Sequence, residues 1–235
     1  MIDLHFHALP GLDDGPATME ESLALCRRAA EEGTTHVVAT PHVLREPWLN
    51  EDPAARAALL AELNGRLGGS PAVLPGCELM FSFDILELVE KGAEGPVVGL
   101  NGGRFLLVEF APGFVPKGSA DLLRELAFAG HVPVVAHPER NLVFQAEPGR
   151  LFEMLEKGCV AQVTAASLLG EAGRSALGLA EELMEAGLVH FVASDAHNLA
   201  GRPPRLAAAR ERVRKRWGAE AEEQLFVVNP KELLG

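Results

Sequence analysis

His5 and His7 stand two residues apart in Asp3-Leu4-His5-Phe6-His7, near the start of the chain. On a β-strand, side chains at i and i+2 point to the same face. The pair is therefore a ready clamp for a metal ion. If it serves as one, further ligand-type residues should stand at the ends of later strands. Asp13 and Asp14 lie in the loop after the first strand, and His42 follows the second in Thr40-Pro41-His42. Glu78 closes the third, Glu109 the fourth and His137 the fifth, while Asp195 and His197 close the seventh in Ser194-Asp195-Ala196-His197. Only the sixth strand offers no candidate.

The strands that must position these residues are expected at 1–7, 36–40, 72–78, 104–110, 132–136, 160–164 and 189–194. Between them, amphipathic helices are expected at 18–32, 52–67, 84–91, 119–129, 147–157 and 172–186, with a last helix at 204–217 and a short segment after it. Thr18 followed by Glu21 is a capping-box pattern, and Gly33 and Gly68-Gly69 are helix stops. Strands as continuously apolar as Val132-Pro133-Val134-Val135-Ala136 suit a parallel sheet covered on both faces. The expected fold is α/β, a closed or distorted (β/α)7 TIM-like barrel over 1–235 as a single domain, with an open doubly wound sheet as the alternative. No GxGxxG follows the first strand and no GxxxxGK[ST] occurs, so a nucleotide-binding sheet is the weaker option.

Parallel barrels carry their active sites at the C-terminal ends of the strands. Five of the eight histidines fall at that end, and His36, His131 and His190 fall at the starts of strands, at the opposite end. Each ligand-type residue has an ordinary structural role open to it: a strand-end carboxylate pairs with Lys or Arg, and Asp13-Asp14 before Gly15 is a turn. Those ordinary roles would all have to coincide on one rim. Five histidines and four carboxylates, counting one of the Asp13-Asp14 pair, are too many for one ion and suit two or three divalent cations. The nitrogen and oxygen donor set has no thiolate, which favours Mn, Fe or Zn of the catalytic kind. Three divalent cations against four carboxylates leave net positive charge, which attracts a phosphoryl dianion. A metal-bridged hydroxide is a nucleophile near neutral pH. Arg140, three residues beyond His137, and Arg202, five beyond His197, can clasp phosphate oxygens in a bidentate fashion.

The 235 residues carry a net charge of −12, against any non-specific nucleic-acid binder. Cys26, Cys77 and Cys159 are an odd number at irregular spacing, neither a disulfide framework nor a zinc motif. A cysteine phosphatase needs Arg six positions after its Cys; those positions hold Glu32, Phe83 and Ala165, so no thiol route is available. No apolar run approaches the roughly 20 residues of a membrane span. No signal peptide precedes Met1, and a cytoplasmic location is expected.

The ordered set His5-Phe6-His7, Gly11-Leu12-Asp13-Asp14-Gly15, Thr40-Pro41-His42, Ala136-His137-Pro138-Glu139-Arg140 and Ser194-Asp195-Ala196-His197-Asn198 resembles the PHP (polymerase and histidinol phosphatase) superfamily. More narrowly, it resembles the bacterial PHP-type protein-tyrosine phosphatases linked to capsular and exopolysaccharide synthesis, nearly end to end. The resemblance implies a trinuclear site, commonly of manganese. One metal would take His5, His7, Glu78 and Asp195; a second would share Glu78 and add Glu109 and His137; a third would take Asp14, His42 and His197. Asp13 is then a supporting or turn residue, and Arg140 and Arg202 match arginines assigned to substrate phosphate and catalysis. Pro41 and Val43 depart from some relatives, which have Ser before the His and a basic residue after it. The implied substrate is a phosphotyrosine protein, with a bacterial tyrosine kinase as partner and phosphate as product. Two other readings use the same residues: histidinol-phosphate phosphatase or another small-molecule or nucleotide phosphoesterase, and a non-catalytic metal-binding module.

Overall fold

A computed structural model describes residues 1–234. Its strands are β1 (Ile2–Phe6), β2 (His36–Ala39), β3 (His42–Val43), β4 (Ala72–Leu74), β5 (Glu78–Met80), β6 (Phe105–Glu109), β7 (Val132–Ala136), β8 (Val160–Thr164) and β9 (Val189–Ala193). All paired strands are parallel, in two sheets ordered β1-β2-β4 and β3-β5-β6-β7-β8-β9. Two expected strands are split. The stretch expected at 36–40 ends at Ala39 and pairing resumes at His42; that expected at 72–78 ends at Leu74 and resumes at Glu78. Pro41 and Pro75 explain the breaks, because a proline has no N–H to give to a ladder. Thr40 is meanwhile stapled to β1: its N–H donates to Phe6 O at 2.9 Å, and its Oγ1 accepts from Phe6 N at 2.9 Å. Past each break the chain joins the second sheet, so His42 and Glu78 open short strands where the sequence pattern had them after or at the end of longer ones.

Counted this way, seven staves form a distorted α/β barrel whose ladder does not close. β1 meets β9 only at its C-terminal end, where Asp195 N–H donates to His5 O and His7 N–H to Ala196 O, both at 2.9 Å. Lower on this seam the buried Asp3 carboxylate accepts from Ser194 N at 3.0 Å. Alternate residues divide the core as a period of two requires. Ile2, Leu4, Val38, Leu107, Val134 and Phe191 fill the interior. Leu106, Val108, Val135, Val163 and Val192 pack outward against helical Leu123, Leu126, Leu151 and Leu183. Leu233 joins the interior cluster from the C-terminal segment. Asn101 Nδ2 donates to Leu233 O at 2.6 Å and Asn229 Nδ2 to His190 O at 2.7 Å, which fixes that segment at the barrel end opposite the ligand-type residues.

The first helix, Met19–Glu31, carries the full Thr18–Glu21 capping box, and Pro53–Leu67 is capped by Asp52 and stopped by left-handed Gly68. The helix expected at 147–157 is Gly149–Glu156, and an unexpected short helix, Leu142–Ala146, precedes it; the two are separated because Glu147 precedes Pro148 and is driven out of the helical region. The last helix runs on to Glu223, bent at Gly218, where φ is +93°. No helix among the described residues is long and apolar enough to cross a membrane.

Gly99 is the tightest backbone approach: a Cβ there would sit 1.9 Å from Gly103 O and 3.2 Å from Phe105 O. Backbone cannot yield as a side chain does. Gly99→Ala is expected to lower stability by roughly 1–3 kcal/mol, read as an unfolding midpoint in urea.

Candidate metal centre

The C-terminal rim gathers the nine ligand-type residues singled out by spacing. His42 and Glu78 are Cα partners across β3 and β5, and Glu109 ends β6. His137 and Asp195, the residues after β7 and β9, have φ of +31° and +54°. Left-handed backbone is costly for non-glycine residues and persists where surrounding contacts enforce it. Here it turns both side chains into the rim, His137 directly after β7 and Asp195 two residues beyond β9. Eight of the nine side chains are nearly or largely buried, while Asp14 is 37% exposed and forms the open side.

His5 Nε2 and His7 Nε2 each stand close to the same two carboxylate oxygens. His5 Nε2 lies 3.3 Å from Glu78 Oε2, 3.2 Å from Asp195 Oδ1 and 3.4 Å from His7 Nε2. His7 Nε2 lies 3.4 Å from the same Glu78 oxygen and 3.5 Å from the same Asp195 oxygen. Donors arranged tetrahedrally about 2.0–2.2 Å from one cation are held about 3.3–3.6 Å apart. Glu78 Oε2 and Asp195 Oδ1 are buried without a hydrogen-bond partner among the described residues, as are Glu109 Oε1 and His197 Nε2. Orphaned buried acceptors are costly. Donor atoms close enough to share one ion occur in four overlapping groups: His5, His7 and Glu78; His5, His137 and Asp195; His42, Glu78 and Glu109; and His7, Asp14, His42 and His197.

Two neighbouring groups continue the cluster. Asp14 Oδ1 lies 3.3 Å from His42 Nε2 and 3.2 Å from His197 Nε2. His42 Nδ1 lies 2.9 Å from Glu78 Oε2 and 3.0 Å from Glu109 Oε1. His137 Nε2 lies 2.8 Å from Glu78 Oε1. His42 thus stands between the Asp14 group and the Glu78–Glu109 group, whereas the family pattern gives it to the Asp14 group alone.

The outer nitrogens of three imidazoles are pinned, which leaves Nε2 of each for the cluster. His5 Nδ1 bonds Gln162 Oε1 at 2.9 Å, His7 Nδ1 bonds Asp13 Oδ2 at 2.7 Å, and His197 Nδ1 bonds Asp195 O at 3.0 Å. Asp13 also accepts from His42 N at 3.0 Å and Gly15 N at 2.9 Å. Such outer partners fix tautomer and orientation. Charge compensation sets the protonation. Burial pulls His5 and His7 down, yet the carboxylates around them outweigh it and raise both. His42, likewise buried, is lifted to about 10 by Asp14, Glu109 and Glu78. His197, buried and facing the charged His7, is held down to about 4. Glu78 and Asp195 stay ionised despite burial, because the imidazoles, and Arg202 for Asp195, stabilise their charge.

Arg140 Nη1 and Arg202 Nη2 both donate to Asp195 Oδ2 at 2.5 Å, and Arg202 Nη1 reaches Asp14 Oδ2 at 3.4 Å. The turn carrying Arg140 is anchored by buried Glu139, whose Oε1 accepts from Thr164 N and Oγ1 at 2.9 Å each. Spacing missed Arg45, whose guanidinium stands against the His42 ring and lies 3.4 Å from Glu109 Oε1. It also missed Gln162, which supplies the sixth strand's contribution. Neither carries a sequence signal: Arg45 sits in an irregular loop, and Gln162 is an amide inside an apolar strand. Arg45, Arg140, Arg202, Asp14, His42 and His137 surround a cavity of about 150 Å³. A larger, mostly apolar cavity of about 620 Å³ lies elsewhere, beside Pro53, Arg56 and Gly99, and has no ligand cluster.

The family model described as capsular polysaccharide synthesis, CpsB/CapC, matches residues 1–235. The chain is 36% identical over 223 residues to the tyrosine-protein phosphatase YwqE of Bacillus subtilis, covering 94% of this chain and 86% of that one. It is 32% identical over 243 residues to the tyrosine-protein phosphatase CpsB of Streptococcus pneumoniae, covering 100% and 98%. A crystal structure from work describing YwqE and CpsB as unique metal-dependent tyrosine phosphatases superposes with a TM-score of 0.93 at 34% identity, over 100% of this chain and 94% of that one.

A cation at His42 must displace the proton that the ring holds below about 10. Apparent Mn²⁺ affinity is therefore expected to rise from pH 6 to pH 9, with proton release seen calorimetrically in buffers of different ionisation enthalpy. Asp13→Asn is expected to weaken Mn²⁺ binding roughly 10–100-fold while the fold, checked by circular dichroism, persists.

Proposed function

Because the chain belongs to the CpsB/CapC capsular polysaccharide synthesis family, we propose that residues 1–235 form one cytoplasmic phosphatase domain that hydrolyses phosphotyrosine in proteins. The reaction depends on divalent cations. Two or three ions, manganese first and iron or zinc after it, are held by His5, His7, Asp14, His42, Glu78, Glu109, His137, Asp195 and His197. The observation that carries this reading is the gathering of His5 Nε2 and His7 Nε2 within 3.5 Å of both Glu78 Oε2 and Asp195 Oδ1, two buried carboxylate oxygens with no well-aligned hydrogen bond among the described residues.

When bound, the cations supply Lewis acidity and a water-derived nucleophile near neutral pH. The chain's own residues do the rest. Gln162, Asp13 and the Asp195 carbonyl hold His5, His7 and His197 with Nε2 inward. Arg140 and Arg202 orient Asp195 through one oxygen and keep further N–H groups for the phosphoryl oxygens at the mouth. Their fixed positive charge opposes the negative charge that develops as the phosphoryl group transfers. The buried walls keep bulk water from screening that attraction. No thiol takes part: Cys26, Cys77 and Cys159 are all buried, and burial pushes the first and last up to about 12. A bacterial tyrosine kinase is the partner whose product this enzyme consumes.

Chelation with EDTA is expected to abolish turnover of p-nitrophenyl phosphate and of a phosphotyrosine peptide, and iodoacetamide is expected to leave both unchanged. Full activity after exhaustive chelation would overturn the reading, as would a kcat/KM for histidinol phosphate or a nucleotide orders of magnitude above that for the peptide. Arg140→Ala is expected to lower kcat/KM roughly 100-fold or more with metal content, by elemental analysis, unchanged. Glu78→Gln is expected to lose metal and activity together.

A further inference from the structure

Eight large hydrophobic side chains are exposed among the described residues, and five of them, Leu49, Phe83, Phe114, Leu142 and Leu199, lie in segments that follow β3, β5, β6, β7 and β9. They therefore stand at the strand ends that carry the candidate metal centre. Single exposed hydrophobics are common on any surface. A concentration of them around one mouth marks an interaction surface.

Three of these residues are continuous with the cavity. Phe83, 65% exposed, packs edge-on against Phe81 at 5.7 Å between ring centroids, and Phe81 stacks on Phe110 at 4.8 Å. Phe110 packs on Phe144 at 5.8 Å, and both line the cavity. Phe114 and Leu142, 62% and 61% exposed, sit on a loop and at the first turn of a helix that are stitched together: Leu142 N donates to Pro112 O at 2.7 Å, and Asn141 Nδ2 donates to Ala111 O at 2.9 Å. Pro112 and Asn141 also line the cavity. An apolar path thus leads from the catalytic mouth outward over the β5–β7 side.

Size decides what can occupy it. The cavity holds about 150 Å³, well below the roughly 300–1,000 Å³ of sites that enclose a whole small ligand. A phosphoryl group enters, and the rest of a larger substrate rests on the rim. The rim carries these apolar side chains beside a mouth whose cations, Arg45, Arg140 and Arg202, are each already paired with a carboxylate of the cluster. We infer that Phe83, Phe114 and Leu142 form a docking surface for apolar residues flanking a phosphotyrosine in an extended polypeptide, an inference that rests on the reading of the site as a phosphotyrosine phosphatase. These residues set which phosphoproteins are served and leave the chemical step alone.

The test compares the metal-loaded enzyme with Phe83→Ser, Phe114→Ser, Leu142→Ser and the triple variant. Substrates are p-nitrophenyl phosphate, a phosphotyrosine peptide with Leu and Val flanks, and the same peptide with Ser and Gly flanks. The wild type is expected to prefer the apolar-flanked peptide. The triple variant is expected to lose that preference by roughly tenfold in kcat/KM, carried by KM, with turnover of p-nitrophenyl phosphate within about twofold of wild type. Equal handling of both peptides by wild type and variants would overturn the docking surface alone, as would a wild-type dimer in solution that the variants dissolve without a change in peptide kinetics. A wild type that hydrolyses p-nitrophenyl phosphate but neither peptide would overturn the phosphotyrosine reading itself.

Discussion

The structure is organised around a concentration of negative charge that water does not solvate. Glu78, Glu109 and Asp195 are each at most 3% exposed, and they share one end of the barrel with Asp14. Stripping a carboxylate of water costs several kcal/mol even after relaxation, and like charges this close add repulsion. Only positive charge supplied at the same place makes the arrangement stable. Imidazoles and arginines supply part of it, and divalent cations held among these donor atoms would supply the rest. The raised protonation of His5, His7 and His42 and the lowered protonation of Glu78 and Asp195 are two views of that single demand.

Local backbone geometry serves the same demand. A regular strand presents every second residue to the barrel interior, so it delivers few ligands to its own end. Pro41 and Pro75 end two strands early, and the chain re-enters the second sheet at His42 and Glu78, placing them opposite each other. Left-handed backbone at His137 and Asp195 turns two more side chains inward within two residues of their strand ends. The open seam between β1 and β9 brings His5 O and His7 N into contact with Asp195 and Ala196, so the first and last staves share one corner of the cluster. Interrupted strands and an unclosed ladder are how the fold makes room for so many ligands on one rim.

Outer contacts then decide how the inner ones behave. Asp13 alone ties the His7 ring, the His42 backbone and the Gly15 turn together. Asp195 turns one oxygen to His5 and His7 and the other to Arg140 and Arg202, so the arginines at the mouth sense the state of the cluster directly. Guanidinium, carboxylate and imidazole form one linked unit, in which removing one member leaves the others buried and uncompensated.

Much was legible from residue order alone. The alternation of apolar strands and capped helices specified a parallel α/β fold, because burial on both faces leaves a continuous hydrophobic signature. The ligand-type residues stood out because strand ends are periodic in sequence and the chemistry needs His and carboxylates there. The breaks at Pro41, Pro75 and Pro148 carried a local signal, yet where the chain resumes depends on which neighbouring strand is free to pair. Arg45 and Gln162 carried none: a loop arginine and a strand amide acquire meaning only from what lies across from them, His42 and Glu109 for one and His5 for the other. The same holds for His42, whose two nitrogens face two groups of ligands. Sequence by itself determined which kinds of atoms are present and that they fall at one end of the barrel, because composition and strand periodicity are local properties. Tertiary structure alone decided which of them stand within reach of one another, because distances of about 3 Å between residues as far apart in the chain as His5 and Asp195 are set by packing and strand pairing and by nothing encoded between neighbours in the chain.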